Sequence, residues 1–122
     1  MAWDLDTDKP IYLQLAEHIK LSILSGHYKK GEKIPPVRDM AKEAGVNPNT
    51  MQRALAYLES DGLIYSKRTS GRYVSDDENL IEDLKRGLAI AQIKLFFDNM
   101  NKIGFSSEQV LNLAEQFIKE MN

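Results

Sequence analysis

The sequence predicts a mainly α-helical fold with one small β-hairpin. Three observations predict it. Apolar residues recur at spacings of three and four in five separate segments. Two short β-prone runs flank a polar turn containing glycine. Prolines and glycines fall between these segments rather than inside most of them. A chain of 122 residues, 43% of them apolar, has room for one domain, or one domain with a short appendage, and enough apolar side chains for a core.

The first helix is expected over residues 10–25. Pro10 suits its first turn, Tyr12, Leu15, Ala16, Ile19 and Ile23 share one face, and Gly26 stops it. Residues 27–35 read as a polar loop ending in a proline pair. Pro36 opens a second, short helix with Val37, Met40 and Ala41 inward and Gly45 at its end. After the tight connection Gly45-Val46-Asn47, a third helix is expected over 48–61. Asn47 serves as N-cap, Pro48 takes the first position, and Met51, Ala54, Leu55 and Leu58 form the core stripe. Leu63 to Ser66 and Arg72 to Val74 then form a hairpin with Lys67-Arg68-Thr69-Ser70-Gly71 at its tip.

Ser75-Asp76-Asp77-Glu78 has the pattern of a capping box at the start of a long helix over about 76–101. Its apolar positions 81, 84, 88, 91 and 95 alternate three and four, a heptad-like seam. Gly104 breaks the chain. Ser106 with Gln109 forms a second capping box, and Phe105 with Val110 a hydrophobic staple, ahead of a last helix. Three helices followed by a hairpin is the order of a winged helix-turn-helix. The expected organisation is therefore a winged helix-turn-helix over 1–75 and a two-helix region over 76–122.

Composition excludes several function classes. There is no cysteine, so no disulfide framework and no thiolate metal site, and two histidines alone cannot close a zinc site. There is no Gly-rich phosphate loop and no nucleophile elbow. No enzymatic activity, metal or cofactor is expected. No apolar run approaches the ~20 residues of a membrane span, and the acidic N-terminus carries no apolar signal segment. The 16 basic and 18 acidic side chains give a net charge of −2. Their distribution is uneven: residues 27–74 hold 9 basic and 5 acidic side chains, and residues 75–122 hold 5 and 9. Nucleic-acid binding depends on such a local basic face rather than on total charge.

The buried stripe of the third helix leaves Asn47, Asn49, Thr50, Gln52 and Arg53 clustered at its N-terminal end. A recognition helix presents this end to base edges in the major groove. Gln and Asn can bond adenine bidentately and Arg can do so to guanine. Arg38, just before the turn, would face the DNA backbone or the groove edge. In the hairpin tip, Lys67, Arg68 and Arg72 surround Thr69, Ser70 and Gly71, the make-up of a wing lying along phosphates.

Over about 65 consecutive residues the sequence resembles the GntR family of bacterial transcription regulators. The resemblance rests on Pro10 to Leu15, Ile23 to Gly26, Gly31 to Ala41, Val46 to Ala54, Leu58-Glu59, Gly62 to Ile64 and Gly71 to Val74. It implies DNA contacts at Arg38, at the Asn47 to Arg53 segment and at Gly71. The family wing usually reads Gly-x-Gly, and Thr69 replaces the first glycine here. The 48 residues after Val74 resemble the short helical region of the YtrA-like subfamily rather than a large ligand-binding domain. That resemblance implies a cytoplasmic, nucleoid-associated homodimer on an inverted-repeat operator of double-stranded DNA, often near genes of an ABC-type transporter.

Ile81, Leu84, Leu88, Ala91, Leu95 and Phe96 are the expected dimer interface, since so short a tail cannot bury that much apolar surface by itself. Two other readings stay open on the sequence. One is a winged helix serving protein–protein contact, against which the polar cluster at 47–53 and the basic tip argue. The other is a metabolite-sensing regulator with its site at the dimer seam; the sequence identifies no effector.

Overall fold

The computed structural model describes residues 3–121. The elements are α1 (Ile11–Leu24), α2 (Val37–Ala44), α3 (Pro48–Ser60), β1 (Ile64–Lys67), β2 (Gly71–Val74), α4 (Glu78–Lys102) and α5 (Ser107–Met121). They form two compact units that meet within α4, one ending at Leu84 and the other starting at Lys85. The sequence places that boundary at 75/76. The reason for the difference is that Ile81 and Leu84 pack against the core of the first unit, so the first two turns of α4 belong to it. Residues 1–2 and 122 of the expected regions lie outside the described residues.

In the first unit, α1 and α2 both pack on α3, and the hairpin joins α3 through β1. The core is the set that the helical spacing selects: Leu15, Ile19, Met40, Met51, Leu55 and Leu58 are fully buried together with Leu63, Ile64 and Val74. At the turn between α2 and α3, Gly45 adopts φ +76°, the left-handed conformation that glycine takes without a Cβ penalty. Its N–H and that of Val46 both bond the Ala41 carbonyl, at 2.9 and 3.0 Å. The Trp3 ring stacks on His18 with 3.8 Å between centroids, and the Trp3 backbone N–H donates to the Ala44 carbonyl.

The hairpin is antiparallel, with Ile64 opposite Val74, Tyr65 opposite Tyr73, Ser66 opposite Arg72 and Lys67 opposite Gly71. Residues directly opposite share a face, so Ile64, Ser66, Arg72 and Val74 lie on one side and Tyr65, Lys67, Gly71 and Tyr73 on the other. The segment expected to be a plain polar loop does more. The Ile34 N–H donates to the Arg72 carbonyl at 3.0 Å, the Val74 N–H to Glu32 at 2.8 Å, and Lys33 bridges Tyr73. Residues preceding a proline favour extended backbone, so the chain ahead of Pro35 is ready to pair with a strand edge. Ile34 is buried as a result.

The start of α4 departs from the expected capping box. Asp77, not Ser75, is the cap: its carboxylate accepts the Leu80 N–H at 3.1 Å. Ser75 is held two residues outside the helix because its own N–H donates to the Leu63 carbonyl at 2.8 Å, prolonging the hairpin. In the second unit the expected box forms. The Ser106 N–H donates to the Gln109 side chain at 2.9 Å and the Gln109 N–H to the Ser106 hydroxyl at 3.2 Å. Val110 is buried, whereas Ile90, Ile93, Leu95, Phe96, Phe117 and Ile118 stay exposed. Among the described residues no helix is long and apolar enough to cross a membrane.

Candidate nucleic-acid interface

The N-terminal end of α3 is built by its cap. The Asn47 side-chain oxygen accepts the Asn49 N–H at 2.7 Å, with Pro48 at the first helical position. This commits the Asn47 carbonyl and leaves its amide N–H groups free to donate outward. Asn49, Gln52 and Arg53 are exposed and Thr50 is half-buried, while Met51 and Ala54, which alternate with them, are buried. The helical period thus turns these polar groups to solvent while fixing the backbone that carries them.

Arg53 does not hang freely. Its guanidinium lies 3.8 Å from the centroid of the Tyr12 ring, and Tyr12 meets Tyr57 edge-on at 6.2 Å. Stacking of this kind fixes the guanidinium plane and leaves its N–H edge available. Pro10, Tyr12, Asn49, Thr50 and Arg53 line a shallow cavity of about 310 Å³ between the starts of α1 and α3. The sequence reading treats Tyr12 only as part of the core face; its position four residues before Ala16 did not reveal that Arg53 would stack on it.

On the wing the basic residues part company. Arg72 points to α3, where its Nε donates to the Glu59 carboxylate at 2.7 Å; the Ser66 hydroxyl donates to the same oxygen at 2.7 Å. Burial pushes the Glu59 carboxyl up, but the Ser66 hydroxyl and the Arg72 guanidinium outweigh it and hold it below the ordinary carboxylate value. Arg72 is expected from sequence to face DNA; it is instead mostly buried, with its charge partnered inside the fold. Lys67, on the opposite face, sits 4.5 Å over the Tyr73 ring. Arg68 and Ser70 occupy the exposed tip, where the Ser70 and Tyr73 hydroxyls pair.

Gly71 carries φ +121°, and no non-glycine residue among those described has a positive φ. The turn therefore closes with Thr69 in ordinary backbone, and the missing family glycine is not needed at that position. A groove of about 450 Å³ separates the wing from the chain entering α2, lined by Lys33, Pro36, Val37, Lys67, Arg68 and Gly71 among others. Lys33 carries no site signal of its own in the sequence beyond the local basic excess over 27–74. Arg38 is exposed one residue past this groove and makes no ion pair among the described residues.

The family described as bacterial regulatory proteins, gntR family, matches residues 11–74, from the start of α1 to the end of β2. The chain belongs to the GntR family. It carries that family's DNA-binding helix-turn-helix and is a transcriptional regulator.

GntR relatives of similar length extend the likeness to the second unit. The HTH-type transcriptional regulator YhcF of Bacillus subtilis is 32% identical over 111 residues, 91% of this chain and 92% of YhcF. The HTH-type transcriptional repressor YtrA of the same organism is 30% identical over 120 residues, covering 98% and 89%. A GntR family regulator from Listeria monocytogenes superposes with a TM-score of 0.85 at 36% identity, over 92% of this chain and 98% of that one. The DNA-binding domain of AraR, solved in complex with operator ORX1, superposes with a TM-score of 0.56 at 28% identity, over 62% and 95%. These relatives are transcription regulators, not enzymes.

Proposed function

We propose that this GntR protein is a homodimeric repressor acting in the bacterial cytoplasm on an inverted-repeat operator. The observation that carries the reading is the exposed polar end of α3, Asn47 to Arg53, rigidly capped and backed by a fully buried stripe. In this reading α3 enters a major groove, with Asn49 and Gln52 at base edges and Arg53 held at its angle by Tyr12. Asn47, Thr50 and Arg38 make backbone contacts, and Lys67, Arg68, Ser70 and the Gly71 backbone bring the wing to the phosphates. Repression is supported by the name of YtrA, and operator binding by the AraR complex. Control of transporter genes rests on the YtrA-like resemblance alone.

The dimer reading is supported by the apolar side chains of the second unit that stay exposed among the described residues. Exposed Ala91, Leu95 and Phe96, with half-buried Leu88, form its seam, since Ile81 and Leu84 are already packed on the first unit's core. Two linked modules share one association cost, which is how weak single heads give tight operator binding.

The test is selection of genomic fragments by the purified chain, followed by gel-shift titration of the recovered sites at two salt concentrations. A recovered palindrome bound at least about a thousandfold more tightly than random DNA is expected. Uniformly weak, steeply salt-dependent binding with no recovered sequence would overturn the reading.

A further inference from the structure

We infer that the groove between Lys33 and the wing is a seat for one backbone phosphate of duplex DNA, with Lys33 as its principal cation and Gly71 as the opening through which Lys33 reaches it. The inference rests on the DNA-binding reading above and adds to it a residue outside the helix-turn-helix and the hairpin.

The geometry comes from the third, partial strand. Lys33 bridges Tyr73, so its side chain shares the face that carries Tyr73, Gly71, Tyr65 and Lys67. From there it runs across Gly71. A Cβ added at Gly71 would sit 3.1 Å from Lys33 Cε and 3.8 Å from its Nζ. Any other residue at 71 would crowd this path, besides being strained at φ +121°. Lys67 faces the same spot from the far side, because it is the cross-strand partner of Gly71. Arg68 borders the groove at the tip.

The charge balance points the same way. Arg72, which also lines the groove, is neutralised by Glu59. Lys33, Lys67 and Arg68 have no ion-pair partner among the described residues. Like charges gathered around one groove repel unless an anion enters it, so the groove favours phosphate.

The experiment measures binding of the full chain to two unrelated 30-bp duplexes by fluorescence anisotropy across a salt series. Lys33→Gln should weaken both duplexes alike, by roughly tenfold per bound protomer at 0.1 M salt, and flatten the log–log salt slope by about one per protomer. Gly71→Ala crowds Lys33 Cε and removes no charge, so it should weaken both duplexes by less than Lys33→Gln does; if it fails to fold, Lys33→Gln decides alone. Lys119→Gln on α5 removes the same charge elsewhere and should leave the slope unchanged. An unchanged slope for Lys33→Gln beside normal wild-type binding would overturn the seat and leave the DNA-binding reading intact. So would a loss confined to one duplex, or an equal drop in Lys119→Gln. Wild-type protein that bound neither duplex would instead sink the DNA-binding reading itself.

Discussion

At Glu59 one carboxylate oxygen receives both the Arg72 Nε–H and the Ser66 hydroxyl, joining the outer half of the wing to α3. Ser66 and Arg72 are a cross-strand pair, so both reach the same acid only when the hairpin register is correct. Glu59→Gln should therefore cost about 1 kcal/mol in urea unfolding, a modest figure because the pair is partly solvated. The pH dependence follows from the lowered carboxyl. Its contribution is complete above the unfolded value of about 4.3 and disappears as pH falls through the lower folded value. Wild-type stability should thus fall more steeply than that of Glu59→Gln between about pH 5 and pH 3; parallel curves would remove the pair from the account. At this scale the sequence was least legible. Arg72 and Lys33 look alike as lone basic residues, yet one is paired inside the fold and the other has no ion-pair partner among the described residues. Glu59 is 13 residues from Arg72, a distance across which only the hairpin brings them together.

At the scale of elements, helix starts written in consecutive residues are legible. Asn47-Pro48 caps α3 and Ser106 with Gln109 closes its box, because each needs only a neighbour within three residues. Ser106→Ala should lower stability of α5 by about 1 kcal/mol, measured as a loss of helicity or of the unfolding midpoint. An unchanged midpoint would mean that α5 is held by packing alone. The same local pattern misled at Ser75. There the backbone N–H is taken by Leu63, so the chain stays extended for two more residues and Asp77 caps instead. A capping box competes with whatever else wants the same residue, and at Ser75 the hairpin won.

For the whole molecule the main quantity is apolar surface. In the second unit Phe117 and Ile118 are more than half exposed, as are Ile90, Ile93 and Leu95, and Phe96 is nearly so. Exposure of this extent is unusual for a stable monomer and is what a second copy would cover. The thermal midpoint should accordingly rise with protein concentration, as it does when only the assembled form is stable. Leu88→Asp should abolish that dependence and weaken operator binding in step; tight operator binding by a strictly monomeric variant would refute the dimer reading.

What the sequence by itself determined is local and periodic. The five helices, the hairpin, two of the three side-chain helix caps and the buried stripes all follow from residues within a turn or two of each other. Tertiary structure alone decided three things: that Ile81 and Leu84 tie α4 to the first unit, that Arg72 is neutralised while Lys33 is not, and that Arg53 is stacked on Tyr12. The physical reason is range. Helix formation and capping are contests among near neighbours along the chain, whereas burial and charge pairing act through space, over a few ångströms, between residues that the sequence keeps far apart.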